Sequence, residues 1–162
     1  FAGSQAWALV DHQLSHVFCD SPQSAQAVAQ LFRGRMGIDE VLIGNERAKY
    51  NLDHPRSGEV VLVSSANSWQ AYYWWTDDTL APKFARTVDI HRKPGYDPVE
   101  MFFDPATKGI PLDATLVKGS HGAPARADSQ RGIILSSEAG VLVGQAMADT
   151  DVSDLVLRQF GI

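Results

Sequence analysis

The stretch that most constrains this chain is Ser21 to Gly34, SPQSAQAVAQLFRG, because it carries the start, the apolar face and the stop of one helix. Ser21 is of the type that caps a first turn through its side-chain oxygen, Pro22 suits the first helical position, and Gly34 marks the end. Ala25, Val28, Ala29, Leu31 and Phe32 fall on one face, so this helix needs an apolar layer to lie on. Its neighbours in sequence offer one. AWALV and SHVFC read as one long bent strand or as a hairpin pivoting on Asp11-His12-Gln13, EVLI (Glu40 to Ile43) as a short strand, and GEVVLVSS (Gly58 to Ser65) as a strongly β-branched one. The first 65 residues therefore predict a strand, helix, strand, strand order, the start of a small α+β layer.

A chain of 162 residues is one domain's worth, and 44% apolar content is enough for a globular core. Fourteen basic against nineteen acidic residues, a formal charge of -5, exclude a nucleic-acid polymer as the main partner, so any anion must be met by a local pocket. The single cysteine, Cys19, excludes an internal disulfide framework and a thiolate zinc site and is compatible with a reducing compartment, the cytoplasm being favoured. No window approaches the roughly 18 to 20 apolar residues of a membrane span, and a soluble protein without a membrane partner is expected. The chain opens at Phe1 and runs almost at once into Ala6 to Val10, which reads as the middle of a longer protein.

WQAYYWW, Trp69 to Trp75, places aromatics at five of seven positions. It reads as a core-lining strand or hinge, or as a ring-stacking platform, and if exposed it would favour self-association. A short helix opening at Asp77 or Asp78 is predicted within Thr76 to Arg86, and the proline-punctuated run Val88 to Pro105 is predicted irregular. Strand ATLVK, a glycine-histidine loop, strand GIILSS (Gly132 to Ser137) and a helix from an N-cap at Thr150 to Phe160, closed by Gly161, complete the chain.

Five histidines are available for chemistry: His12, His16, His54, His91 and His121. The HExxH, GxSxG, GxxxxGK[ST] and GxGxxG patterns are all absent, which removes several common enzyme classes. Asp11-His12 puts a carboxylate beside an imidazole at the end of a strand, as in a pair of zinc ligands or in an exposed turn. His16 is predicted to share His12's face. Asp89 and His91 would project to one face of an extended segment, with Arg92, Lys93, Tyr96 and Asp97 close behind, able to hold a phosphate or to anchor the loop by ion pairs. DHPRSGE, Asp53 to Glu59, is most simply a turn. His121 stands between Gly119 and Gly122 in VKGSHGAP, where the glycines permit close backbone approach, and is open to a metal, catalytic or structural role.

Several stretches together resemble the alkaline-phosphatase superfamily, and within it bacterial proteins similar to nucleotide pyrophosphatases/phosphodiesterases. They are VDHQLSHVFC, LDHPRSGEVVLVSS, YYWWTDD, FARTVDIHRKPGYDPVEMFFDP, PLDATLVKGSHG and the closing DTDVSDLVLRQFGI. The resemblance implies an α/β chain forming the C-terminal part of an αβα fold: an α+β cap-type subdomain over residues 1–105 and closing elements of the body over 106–162. It implies a phosphoryl-ester hydrolase in which two divalent metals, usually zinc, activate a threonine or serine nucleophile, with His121 by position a ligand of one metal.

The departures from the family pattern are as definite. The nucleophile and first aspartate ligands have no counterpart here, so the catalytic residues proper stay unassigned and the isolated chain is expected to be inactive. Asp11-His12 is followed by Gln13 rather than glycine, which leaves Asp11 and His12 as second-rank ligands. FFDPATKGIPLDA is short against relatives and marks 106–109 as the place of a deletion or junction. Asp89, His91, Arg92 and Lys93 are expected at the mouth of the site, on a small phosphate ester such as a nucleotide. Two other functions are compatible with the same residues: a non-catalytic cap or recognition module, and a metal-dependent phosphotransferase or mutase.

Overall fold

The computed structural model describes residues 3–71, 73, 75–86, 104–108 and 111–162, without the side chains of Phe84 and Arg86. The chain divides into two units, Phe1–Pro124 and Ala125–Ile162. It is a mixed α/β protein.

The first unit is built on β1 (Ala6–Asp11), β2 (Leu14–Cys19), α1 (Pro22–Phe32), β3 (Ile38–Ile43) and β4 (Val60–Ser64). The strands form one antiparallel sheet in the order β1-β2-β4-β3. AWALV and SHVFC are thus a hairpin, with Asp11 opposite Leu14 and only His12-Gln13 between them. Two-residue loops of this kind match the strand twist when they take positive φ, and His12 does so at +54°. Along β3 the register slips between Ile38 and Glu40, which makes Asp39 a bulge.

Helix α1 starts as its sequence specifies: Ser21 accepts the backbone N–H of Ser24 at 3.1 Å, and Pro22 follows in the first turn. Ala25 and Ala29 are buried against Val17, Val60 and Leu62, with Val28, Phe32, Val41 and Ile43 around them. Leu31, assigned by periodicity to the same face, is exposed instead. The opposite sheet face buries Leu42, Val61 and Val63 under Tyr50 and Leu52 of the 3-10 turn Gly44–Tyr50 and its exit. Because β4 lies between β2 and β3 with both faces covered, all five of its residues are buried, which is why Val60 to Val63 are apolar without alternation.

Toward the end of this unit, Asp78–Leu80 and Lys83–Arg86 are 3-10 turns in place of the predicted short helix, the first capped by Asp77. ATLVK is likewise a 3-10 turn, Ala114–Leu116, rather than a strand. Asp113 accepts both the N–H and the hydroxyl of Thr115, at 3.0 and 2.6 Å, and this local cap competes successfully with extended pairing.

The second unit consists of 3-10 turns at Asp128–Gln130 and Asp149–Asp151 and helix α2 (Val152–Gln159), which buries Leu155. The predicted cap at Thr150 lies within the turn that leads into α2, and no side chain caps the helix start. GIILSS is not a strand: no described strand pairs with it, and Ile133 and Leu135 are exposed.

Candidate functional site

The tip of the β1–β2 hairpin is the place where residues singled out for chemistry converge. His12, although in a two-residue turn, is 1% exposed. Its burial follows from the segment after β4, which folds across the turn. The Gln70 N–H donates to the His12 carbonyl at 2.8 Å, Gln13 Nε2 donates to the Ser68 carbonyl at 3.0 Å, and the Ser64 N–H donates to the Gln13 carbonyl at 2.8 Å. Gln70 Nε2 also reaches the Leu62 carbonyl and Ser64 Oγ, both at 3.2 Å, fixing this crossing segment to β4.

His121 arrives from the far end of the unit. Gly122 has φ +92°, a conformation that disfavours side-chain-bearing residues, and it lies beside the strand end, where a Cβ built on it would make an ordinary 4.0 Å contact with the Asp11 carbonyl oxygen. The His121 ring packs on the His12 ring with centroids 3.7 Å apart and planes inclined at 54°. His121 itself is exposed, while Asp11 holds Oδ1 4.0 Å from His12 Nε2 with most of its carboxylate in solvent. Asp11, His12 and His121, named from widely separated segments, thus occupy one place.

Two imidazoles and a carboxylate are donors of the type zinc takes. Their present arrangement is closed, however. Zinc–nitrogen bonds of about 2.0–2.1 Å would hold two ligated rings with centroids on the order of 5 Å apart, wider than the packed pair. Among the described residues no group of three His, Cys, Asp or Glu side chains is arranged to hold a metal ion. The three donors fit the metal in chemistry and not in their present geometry, so no catalytic step is routed through it.

The other candidates are placed elsewhere. His16 does not share a face with His12, because His12 has left the strand for the turn. It lies on the sheet face away from α1, where its Nδ1 accepts the Gly58 N–H at 3.2 Å. Burial lowers its pKa below the usual histidine value and Arg47 adds to this, while Asp11 opposes it. His54 sits in the expected turn, its Nδ1 accepting the Arg56 N–H at 3.1 Å. Asp89, His91, Arg92 and Lys93 lie outside the described residues, as do Tyr72 and Trp74 of the aromatic run. From that run, Tyr73 and Trp75 stack at 5.0 Å, and Trp75 Nε1 donates to Asp78 at 3.2 Å.

Gln13, Ser68 and Gln70 were not legible as site residues. Each acts through a main-chain group of a distant segment, and only Gln70's position inside the aromatic run hinted at a role. A hollow in the second unit, lined by Ile134, residues 139–147, Leu155, Arg158 and Gln159, offers no carboxylate or imidazole and is not a site for the same chemistry. Comparison with protein-family models, with curated proteins and with solved structures finds no match for this chain.

Proposed function

We propose that this chain is the C-terminal part of a metal-dependent phosphodiesterase or nucleotide pyrophosphatase of the alkaline-phosphatase superfamily, hydrolysing a phosphodiester or pyrophosphate bond. In this reading residues 1–105 form an α+β cap-type subdomain and 106–162 the closing elements of an αβα body. The observation that supports it best is the approach of His121 to His12 beside Asp11, since the loop predicted to carry a metal ligand reaches the strand end predicted to carry two more.

His121 would be the ligand proper. It is exposed, lies between Gly119 and Gly122, and packs on the His12 ring at the strand end. His12, buried under the Gln70 and Ser68 segment, acts as the fixed wall of the site, and Asp11 presents negative charge to a cation at its rim. Zinc bound there would supply electrostatic stabilisation to a transferring phosphoryl group. The nucleophile and the remaining ligands lie outside this chain, and the isolated chain binds metal weakly because a partial ligand set rarely offsets the ordering of its loop.

The test is zinc content together with hydrolysis of a chromogenic phosphodiester, measured on the 162-residue chain and on a longer protein that includes the sequence preceding it. The longer protein is expected to hold zinc and turn over, to lose both with His121→Ala, and the short chain to be inactive. Unchanged zinc stoichiometry and turnover in His121→Ala would rule the assignment out. Hydrolysis by the short chain alone would show that the nucleophile lies within it.

A further inference from the structure

We propose that the outer edge of β1 is an interaction surface for a second copy of this chain, the two β1 strands pairing antiparallel about a two-fold axis at Ala8. β1 and β3 are the two edges of the sheet, and they are built differently. β3 is guarded. It carries the bulge at Asp39 and the acidic pair Asp39-Glu40, and the N–H of its last residue, Ile43, donates to Glu46 Oε2 at 3.0 Å. Bulges, charges and locally satisfied backbone groups are the usual means of keeping an edge from pairing with another chain. β1 has none of them: its register with β2 runs unbroken from Ala6 to Asp11, and Ser4 to Val10 contains no charged residue and no proline.

The outward backbone groups follow from the ladder. The Asp20 N–H donates to the Gln5 carbonyl at 3.0 Å and Asp11 with Leu14 closes the turn, so Gln5, Trp7, Leu9 and Asp11 bond inward to β2. Ala6, Ala8 and Val10 therefore turn their N–H and C=O groups outward, and among the described residues no strand or loop pairs with them. Such a row accepts another extended strand, main chain to main chain. A second β1 satisfies it reciprocally: Ala8 meets its own copy, and Ala6 meets Val10 on either side, for about six backbone hydrogen bonds. A register shifted by two residues loses one of these pairs. The side chains agree, since Ala8 at the axis is small and exposed, and Leu9 beside it, 56% exposed, is drawn out of water. Asp11 falls opposite Gln5, which keeps the two carboxylates roughly 20 Å apart, beyond the screening length at physiological salt. Because the remaining edge, β3, is guarded, association stops at the dimer. The pairing does not depend on the phosphoryl-ester reading of the hairpin tip.

The experiment is sedimentation equilibrium of the 162-residue chain over a concentration series from low to high micromolar. A monomer–dimer equilibrium without larger species is expected. Ala8→Pro removes the N–H at the axis and leaves the ladder to β2 intact, because that group points outward; it should raise the dissociation constant at least about tenfold. Leu9→Glu, which keeps the backbone and sets two like charges about 7 Å apart across the axis, should do the same, with the urea midpoint of the monomer near the parent's. The register is read by cross-linking in a Cys19→Ser background. Under mild oxidation Ala8→Cys should give a disulfide-linked dimer, whereas Ala6→Cys, about 14 Å from its own copy, should not. A chain that stays monomeric throughout the series, association that continues past the dimer, a dimer indifferent to Leu9→Glu, or equal cross-linking at both cysteines would overturn the pairing.

Discussion

Strand β4 and the segment Gly132 to Ser137 are nearly the same sequence chemistry with opposite outcomes. Val60-Val61-Leu62-Val63-Ser64 is buried throughout, while Ile133, Ile134 and Leu135 of GIILSS are exposed, Leu135 by 88% against 3% for Leu62. Both are rich in β-branched and apolar residues, and each follows closely on a glycine, Gly58 or Gly132. What differs is the company. β4 has β2 and β3 hydrogen-bonded on its two sides, α1 on one face, and Tyr50 and Leu52 on the other. The later segment has no described partner strand, and a strand without neighbours leaves its backbone groups unmatched and its side chains wet. β-propensity is therefore a statement about fitting a sheet that already exists, not about making one.

The sharpest way to break this comparison is truncation at matched positions. Leu62→Ala should cost about 2–5 kcal/mol, since it leaves a cavity between α1 and the sheet. Leu135→Ala should change stability by less than about 0.5 kcal/mol. Urea denaturation of the two variants checks both, and a comparable loss in each would mean that GIILSS is packed in solution.

Gly58, at the entry to β4, tests how closely that strand is approached. A Cβ there would lie 2.7 Å from the Val17 nitrogen and 2.8 Å from its carbonyl oxygen, and backbone cannot step aside as a side chain can. Gly58→Ala should destabilise by about 1–3 kcal/mol through overpacking, whereas Gly132→Ala, with open space around it, should not. Thermal melting of the pair decides between them; equal melting temperatures would contradict the close approach.

Capping separates the two helices in the same manner. Ser21→Ala removes the acceptor for the Ser24 N–H and should cost about 1 kcal/mol, while Thr150→Ala, at the uncapped start of α2, should have little effect. Far-ultraviolet circular dichroism through a denaturant series reads out the difference.

The smallest effect concerns pH. His16 accepts the Gly58 N–H through Nδ1 and its burial lowers its pKa, so the folded state prefers it neutral. The unfolded chain takes up a proton on this side chain near pH 6.5, before the folded one does. Stability from this group is therefore fully present above that pH and declines as pH falls through it toward the lower folded value. His16→Gln, which keeps an acceptor but does not titrate, should flatten the fall in denaturation midpoint between pH 7.5 and 5. An unaltered slope would exclude His16 as its source.

Local sequence was sufficient for α1 and for the turn at His54, because in each the decisive interactions run between residues two to four positions apart, whereas it left AWALV and SHVFC open between one bent strand and the hairpin that the pairing of β1 with β2 shows. Ser21 with Ser24 and His54 with Arg56 are examples. The strand readings of β3 and β4 also held. ATLVK failed because Asp113 offers Thr115 a local cap that pattern reading of apolar residues does not weigh.

The site divides along the same line. Asp11 and His12 were singled out by residue type at a strand end, and His121 by its flanking glycines. Their meeting was not legible, nor was the burial of a histidine in a two-residue turn, since both depend on segments that return from far along the chain, Ser68 to Gln70 over the hairpin and Gly122 beside Asp11.

What the sequence determined by itself was the inventory: one well-capped helix, a set of strand-forming runs, and a small number of histidines and carboxylates able to take part in metal or phosphoryl chemistry. Tertiary structure alone decided which strand-forming run became a strand and which histidines became neighbours. Pairing and burial depend on where distant segments arrive, and a residue's own propensity cannot specify that.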